Sequence, residues 1–223
     1  MSKEPNTIAS IQRLASYPPM KRELYNGESS ESDSFIQTWI HSHGIEINNL
    51  STSNESQIHL KTPLPCLSFE DMNLPSPLLH LLQKQDYVEP TAIQACSLPL
   101  ALSGRNIIGS SATGSGKTLC YLLPAVLHII NQPSFKQERK GPIVLILVPT
   151  RELAEQIAAV GKSLFALYKI NAFCITGGTS EWQQKKTLHN QVFDLIIGTP
   201  GRFIELVNQN YCSLENCSLV VWK

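Results

Sequence analysis

The chain has 223 residues, 42% of them hydrophobic, and its 18 basic and 18 acidic side chains cancel to a formal net charge of zero. This suits one globular domain plus an extension, and it excludes a protein that gathers nucleic acid through an overall basic field, so any such binding must come from local groups. Cys66, Cys96, Cys120, Cys174, Cys212 and Cys217 are scattered with no C-x-x-C pair, and no second pair or nearby histidine joins Cys212 and Cys217, which argues against zinc and disulfide scaffolds and for buried thiols in a reducing compartment.

Residues 1–65 are rich in Ser, Asn and Glu and poor in apolar runs. They read as a mostly flexible N-terminal extension, with linker character at Pro18-Pro19 and 29–34 and a connector at 48–57. The opening decapeptide is polar and carries Glu4, unlike a signal or transit peptide. One amphipathic helix is expected at 34–43, with Phe35, Trp39 and Ile40 on one side and His41 and His43 solvated. Packing on the main domain is favoured for it over partner binding, although the extension remains the place where a protein partner would attach. The apolar stretch 119–130 contains Pro124 and His128 and is too short to span a bilayer. A soluble, intracellular monomer without membrane contact is expected, the nucleus being the favoured compartment.

From residue 66 the pattern alternates between helix and strand. Helices are expected at 76–84 and 91–102, then a buried strand at 106–110 and a helix at 117–131. A polar loop at 132–141 leads to an apolar strand at 143–148 that reads as covered on both faces. A helix at 151–168, a strand at 171–175, a helix at 181–188 and a strand at 193–197 follow, then a helix from about residue 202 and a buried strand through Leu219, Val220 and Val221. This is an α/β chain with a parallel sheet and helices on both faces. Ligands of such sheets bind beyond the carboxyl ends of the strands, and the polar motifs fall there.

Residues 111–118 read Ser111, Ala112, Thr113, Gly114, Ser115, Gly116, Lys117 and Thr118. Two glycines let a backbone curl its N–H groups around one anion, and the following helix offers its positive dipole end. Lys117 suits the β- and γ-phosphates and the Thr118 hydroxyl suits Mg²⁺. Upstream, Tyr87 precedes Pro90-Thr91-Ala92-Ile93-Gln94. A glutamine amide matches an adenine edge and an aromatic ring can cover the base, although an ordinary exposed helical glutamine gives the same pattern. Pro149, Thr150 and Arg151 open the 151–168 helix, Gly177 and Gly178 follow the next strand, and Thr199, Pro200, Gly201 and Arg202 follow the one after. Each loop alone is explained by capping and turn chemistry. A row of three along one sheet edge is better explained by a polyanionic strand held through its backbone.

Taken in order, the aromatic Phe69, P-T-A-I-Q, S-A-T-G-S-G-K-T, P-T-R-E-L-A, G-G and T-P-G-R resemble the first RecA-like domain of DEAD-box ATP-dependent RNA helicases, from Phe69 to the end of the chain. The resemblance implies a RecA-like domain at 66–223, adenine recognition by Phe69, Tyr87 and Gln94, ATP and Mg²⁺ held by 111–118, and RNA backbone contacts without sequence preference from the three loops. Departures from the family pattern are mild at Asp86, where Gly is usual, at Ala92, and at Ser111-Ala112. One is large. The family's D-E-A-D motif would begin at about Lys223, and neither it nor the second RecA-like domain occurs in these 223 residues. A positioned general base is worth ~10²–10⁴ in rate and an arginine finger ~10³–10⁵. These residues alone are therefore expected to lack hydrolysis and unwinding. A non-catalytic competitor that holds RNA or a partner is the alternative, and an unrelated phosphate-loop kinase or GTPase is disfavoured by P-T-R-E-L-A and T-P-G-R.

Overall fold

The computed structural model describes residues 32–48, 63–132 and 141–223. The linker at Pro18-Pro19, nearly all of the 48–57 connector and most of the 132–141 loop lie outside the described residues. The chain divides into two compact units, one within Arg22–Cys120 and one containing Tyr121–Lys223.

The first unit opens with α1 (Asp33–Ser42), whose N-terminus is capped by the Ser32 hydroxyl accepting from the Phe35 N–H at 3.4 Å. Its interior residue is Ile36, with Trp39 and Ile40 half-buried, whereas Phe35 is 49% exposed. The expected stripe through Trp39 and Ile40 is present, but it continues through Ile36 rather than Phe35. Both residues neighbour that stripe at helical spacing, and packing selects between them.

A single 3-10 turn (Glu70–Met72) leads to α2 (Ser76–Lys84) and α3 (Ala92–Leu102). The end of α2 fixes where Tyr87 stands. The Asp86 N–H donates to Gln83 O at 3.1 Å and the Tyr87 N–H to Leu82 O at 3.0 Å, a Schellman closure with Asp86 left-handed at φ 61°. Glycine is the residue that adopts this conformation without cost, which gives the glycine usual at this position a physical reason. Gly104 closes α3 in the same way at φ 72°.

The expected buried strand at 106–110 is not formed. No strand occurs there, and Ile107 and Ile108 are 38% and 88% exposed. An apolar run reports suitability for a covered strand, but a ladder needs a neighbour, and the described residues supply none.

Helix α4 (Lys117–Ile130) contains the division between the units. The second unit then alternates β1 (Val144–Leu147), α5 (Arg151–Leu167), β2 (Ala172–Ile175), α6 (Glu181–Asn190), β3 (Leu195–Gly198), α7 (Pro200–Asn208) and β4 (Leu219–Trp222). All pairings are parallel and the sheet order is β2-β3-β1-β4. The central strands β1 and β3 carry continuous Val, Ile and Leu and are buried apart from half-buried Leu147, as parallel strands covered on two faces require. Leu145, Ile175, Phe193, Ile196, Phe203, Leu206, Cys212 and Cys217 pack into one core cluster.

The last strand departs from expectation. Among the described residues β4 pairs with β1 alone, and Val220 and Trp222 are 58% and 75% exposed while Leu219 and Val221 are half-buried. It is an edge strand covered on one face, and the Leu-Val-Val run concealed that alternation.

His128 joins α4 to the start of β4. Its Nε2 lies 2.6 Å from Ser218 Oγ and its Nδ1 lies 3.2 Å from the Gln132 amide, so both ring nitrogens have polar partners in the fold. Burial pushes its pKa down to about 4, well below the ordinary 6.5.

Two predictions follow from these contacts. Replacing Asp86 with Gly relieves a left-handed residue and should raise stability by about 1 kcal/mol, read as an upward shift of the urea midpoint with unchanged slope. His128 is neutral in the fold and titrates near 6.5 when unfolded, so its contribution is complete above pH 6.5 and is lost as pH falls toward 4. Between pH 7.5 and 5 the native chain should lose roughly 2 kcal/mol more than His128→Gln, measured by denaturant titration at both pH values.

Candidate functional site

Within the first unit, α3 is built to hold the loop that follows it. Thr91 and Gln94 form a capping box, with Gln94 Oε1 accepting from the Thr91 N–H at 2.9 Å. The other ends of both side chains reach residues 111–118. Thr91 Oγ1 donates to Ser115 O at 2.8 Å, and Gln94 Nε2 donates to Gly116 O at 3.0 Å. Gln94 is 1% exposed, so it is a buried strut rather than the exposed helical glutamine that the sequence left open. Gly116 has φ 87°, and a Cβ there would stand 2.5 Å from Gln94 Nε2. Only glycine permits this approach.

The loop closes on its own lysine. Lys117 Nζ donates to Ser111 O and Ala112 O, both at 2.6 Å, and Ser111 Oγ meets Ser115 Oγ at 2.6 Å. Ala112, Thr113 and Gly114 are exposed, and Gly114 takes φ 79° with open space where a Cβ would stand. The Thr118 side chain sits half-buried in the first turn of α4. Burial raises the nearby Cys120 thiol and pushes Cys96 up to about 11, with Cys120 adding to the second shift. Both remain uncharged at neutral pH, so no thiolate competes for Lys117.

The two aromatics differ. Phe69 is 2% exposed and starts the 3-10 turn as a core residue. Tyr87 is half-buried at the Schellman closure of α2. Of the pair, Tyr87 has ring surface open to a ligand.

In the second unit the three motif loops leave the sheet level with one another. Leu147 is registered with Gly198, and Ile175 with the same Gly198. Pro149, Thr150 and Arg151 therefore start beside Thr199, Pro200, Gly201 and Arg202, which start beside Gly177 and Gly178. Thr150 caps α5 by accepting from the Leu153 N–H at 3.3 Å, as the sequence implied.

Hydrogen bonds then tie the loops together. The Gly177 N–H donates to Thr199 Oγ1 at 3.4 Å, and Arg202 Nη1 donates to Thr179 O at 3.3 Å and to Gln184 Oε1 at 3.4 Å. The Gln184 amide donates in turn to Thr176 O at 2.9 Å and to Thr179 Oγ1. A Cβ on Gly178 would stand 3.8 Å from Arg151 Nη1, so this guanidinium overlooks the glycine turn. Arg151 also pairs with Glu155 at 2.7 Å, and Arg202 with Glu205 at 2.9 Å. The side chain of Arg151 is 44% exposed and that of Arg202 only 14%.

Residues 91–222 match the DEAD/DEAH box helicase family. The chain belongs to that family. It is 41% identical over 159 residues to the mouse "Probable ATP-dependent RNA helicase DDX17", covering 71% of this chain and 24% of the relative. It is 42% identical over 159 residues to the Arabidopsis thaliana "DEAD-box ATP-dependent RNA helicase 30", covering 71% and 27%. To the Pongo abelii "ATP-dependent RNA helicase DDX42" it is 35% identical over 207 residues, covering 92% and 21%. The chain thus spans about a quarter of the length of these curated relatives. Among solved structures, the Chaetomium thermophilum RNA helicase Prp28 bound to ADP aligns with a TM-score of 0.74 at 29% identity over 89% of this chain and 46% of that one. The yeast DEAD-box splicing factor Prp28 aligns at a TM-score of 0.76 and 24% identity, over 86% and 43%, and supports the fold. The RecA-like architecture of DEAD-box proteins is therefore that of this chain. No helix among the described residues is long and apolar enough to cross a membrane.

Sequence reasoning missed the residues that hold this helicase-family site from behind. Thr91 was legible as the first residue of a T-x-x-Q capping box. Thr179 and Gln184 carried no such signal, because their role arises from a fold-level meeting of two loops. Coupling tests the strut. Gln94→Ala leaves Gly116 O and the Thr91 N–H without their partner, and Gly116→Ala drives a Cβ into the amide. Each should cost roughly 1–3 kcal/mol, and the double variant should cost clearly less than the sum, measured by urea denaturation.

Proposed function

We propose that this chain binds ATP through its first unit and the RNA backbone through its second, as part of a DEAD-box ATP-dependent RNA helicase. The observation that carries the reading is the level ending of β1, β2 and β3, which brings three N–H-rich turns and Arg151 onto one line. Single strands held through phosphate and sugar call for such a row of donors. The family relatives, named as ATP-dependent RNA helicases, support the same reading.

The residues of the first unit fit a nucleotide triphosphate. Gly114 and Gly116 sit at positive φ in the turn before a helix N-terminus, with Lys117 and Thr118 in its first turn. Lys117 Nζ would meet phosphate oxygens in place of the carbonyls of Ser111 and Ala112, and the Thr118 hydroxyl would hold Mg²⁺. Tyr87 covers the base, with Phe69 setting the local packing behind it. Gln94 offers its remaining N–H and lone pair to the adenine edge while holding Gly116 in place. The bound ATP and Mg²⁺ supply the phosphoanhydride and the countercharge, and this chain's residues bind and orient them. On the RNA side, Pro149, Thr150, Arg151, Gly177, Gly178, Thr199, Pro200, Gly201 and Arg202 meet the backbone without reading bases.

Nucleotide binding is the part of this reading that polypeptide 1–223 carries by itself. Titration of polypeptide 1–223 with a fluorescent ATP analogue should show Mg²⁺-dependent binding that ADP competes better than GDP. Lys117→Ala should weaken it roughly 10–100-fold. RNA-stimulated phosphate release should stay at background. Preference for guanine nucleotides, or robust turnover abolished by Lys117→Ala, would overturn the reading.

A further inference from the structure

Trp182 is 67% exposed, an unusual state for the largest apolar side chain, and it stands at the second position of α6. The buried face of that helix is set by Gln184, and Trp182 lies nearly opposite, so the ring has no part in the core. Its position along the helix matters more. α6 starts directly after the Gly177-Gly178 turn, with Ser180 as its cap. Helical side chains lean toward the N-terminus, which places a first-turn indole at the end of α6 that adjoins the Gly177-Gly178 turn. Lys186, one turn later, places Nζ 5.1 Å from the indole centroid and so braces the ring with a cation.

The surroundings choose the occupant. Glu181, Gln183, Lys185 and Lys186 are its neighbours along the helix, and Lys185 pairs with Glu181 at 2.6 Å and stands 5.2 Å over the Tyr211 ring. A protein partner needs a contiguous apolar patch, and the positions beside this ring on the helix carry charged and amide side chains. A planar base whose own phosphate meets a nearby ammonium fits that shape and charge.

We propose that Trp182, with Lys186 behind it, is a stacking platform for one base of single-stranded RNA at the end of the loop row. The site adds a base contact to a surface that otherwise touches backbone. It rests on the reading that the three loops hold RNA. Stacking is tolerant of base identity, so the platform lengthens the bound segment without conferring sequence preference.

The test compares two probes on the full chain, a twelve-residue oligouridylate and the same ribose-phosphate backbone without bases. Trp182→Ala should weaken oligouridylate binding roughly tenfold and leave the abasic probe unchanged. Trp182→Phe should recover most of the loss. Oligouridylate should quench part of the native tryptophan emission, and that part should vanish in Trp182→Ala. Arg151→Ala should weaken both probes alike and flatten the salt dependence by about one phosphate. Equal oligouridylate affinity for the native chain and Trp182→Ala would overturn the platform while leaving the backbone reading intact. A parallel loss on both probes in Trp182→Ala would do the same. No effect of Arg151→Ala on either probe would sink the backbone reading and, with it, the platform's place at the end of the loop row. Failure of the native chain to bind either probe would overturn both.

Discussion

The parallel register of the four strands is the constraint on which the second unit depends. Leu147, Ile175 and Gly198 share one ladder level, and Trp222 is registered with Leu147 on the far side. Parallel pairing makes every strand end at the same edge, and each crossover returns the chain through a helix to the opposite edge. Three helix N-termini and their caps are thereby presented side by side without any residue being selected for that purpose alone. Gly198 illustrates how tightly the arrangement is held, since a Cβ there would stand 2.7 Å from Ile175 O. A bulkier residue would push β2 and β3 apart at the level from which the loops depart.

The same geometry separates two arginines that the sequence treats alike. Arg202 has partners in Thr179 O, Gln184 Oε1 and Glu205, and its side chain is mostly covered. Arg151 pairs with Glu155 on an exposed helix face and overlooks Gly178. An exposed i,i+4 pair holds its arginine weakly, so a phosphate draws Arg151 away at little cost. Releasing Arg202 breaks several bonds at once and frees the loop after β2. Under the proposed function, Arg151 is the more easily released cation for RNA, and Arg202 meets the backbone from a side chain that also keeps two loops in one place.

Much of this was legible from residues because the signals were local. The boundaries of α2 match the expectation of 76–84, and the cap at Thr150 follows from a side chain that competes for open N–H groups. The glycine-rich loop at 111–118 and the three motif loops stand out in the sequence because glycine, proline and cap residues punctuate the chain where helices begin. What escaped depended on neighbours. Residues 106–110 have strand-like composition and no ladder, and β4 has a buried-looking sequence and an exposed face, because pairing and coverage are properties of the fold around a segment. Gln94 shows the intermediate case. Its capping role is written in Thr91-Ala92-Ile93-Gln94, but the bond to Gly116 requires α3 and the loop to meet.

That meeting bears on how a base would be sensed. Gln94 binds the Thr91 N–H with its oxygen and Gly116 O with its nitrogen, and Thr91 binds Ser115 O. The start of α3 and the 111–118 loop are therefore tied together, because shifting either breaks two bonds between them. Lys117 is held on the far side of the same loop by Ser111 O and Ala112 O. A nucleotide that draws Lys117 off those carbonyls changes the loop that Gln94 grips, and a base that engages the Gln94 amide changes the grip itself. Under the proposed function, base recognition and phosphate binding are coupled through one buried side chain, and the steric demand at Gly116 keeps that coupling short.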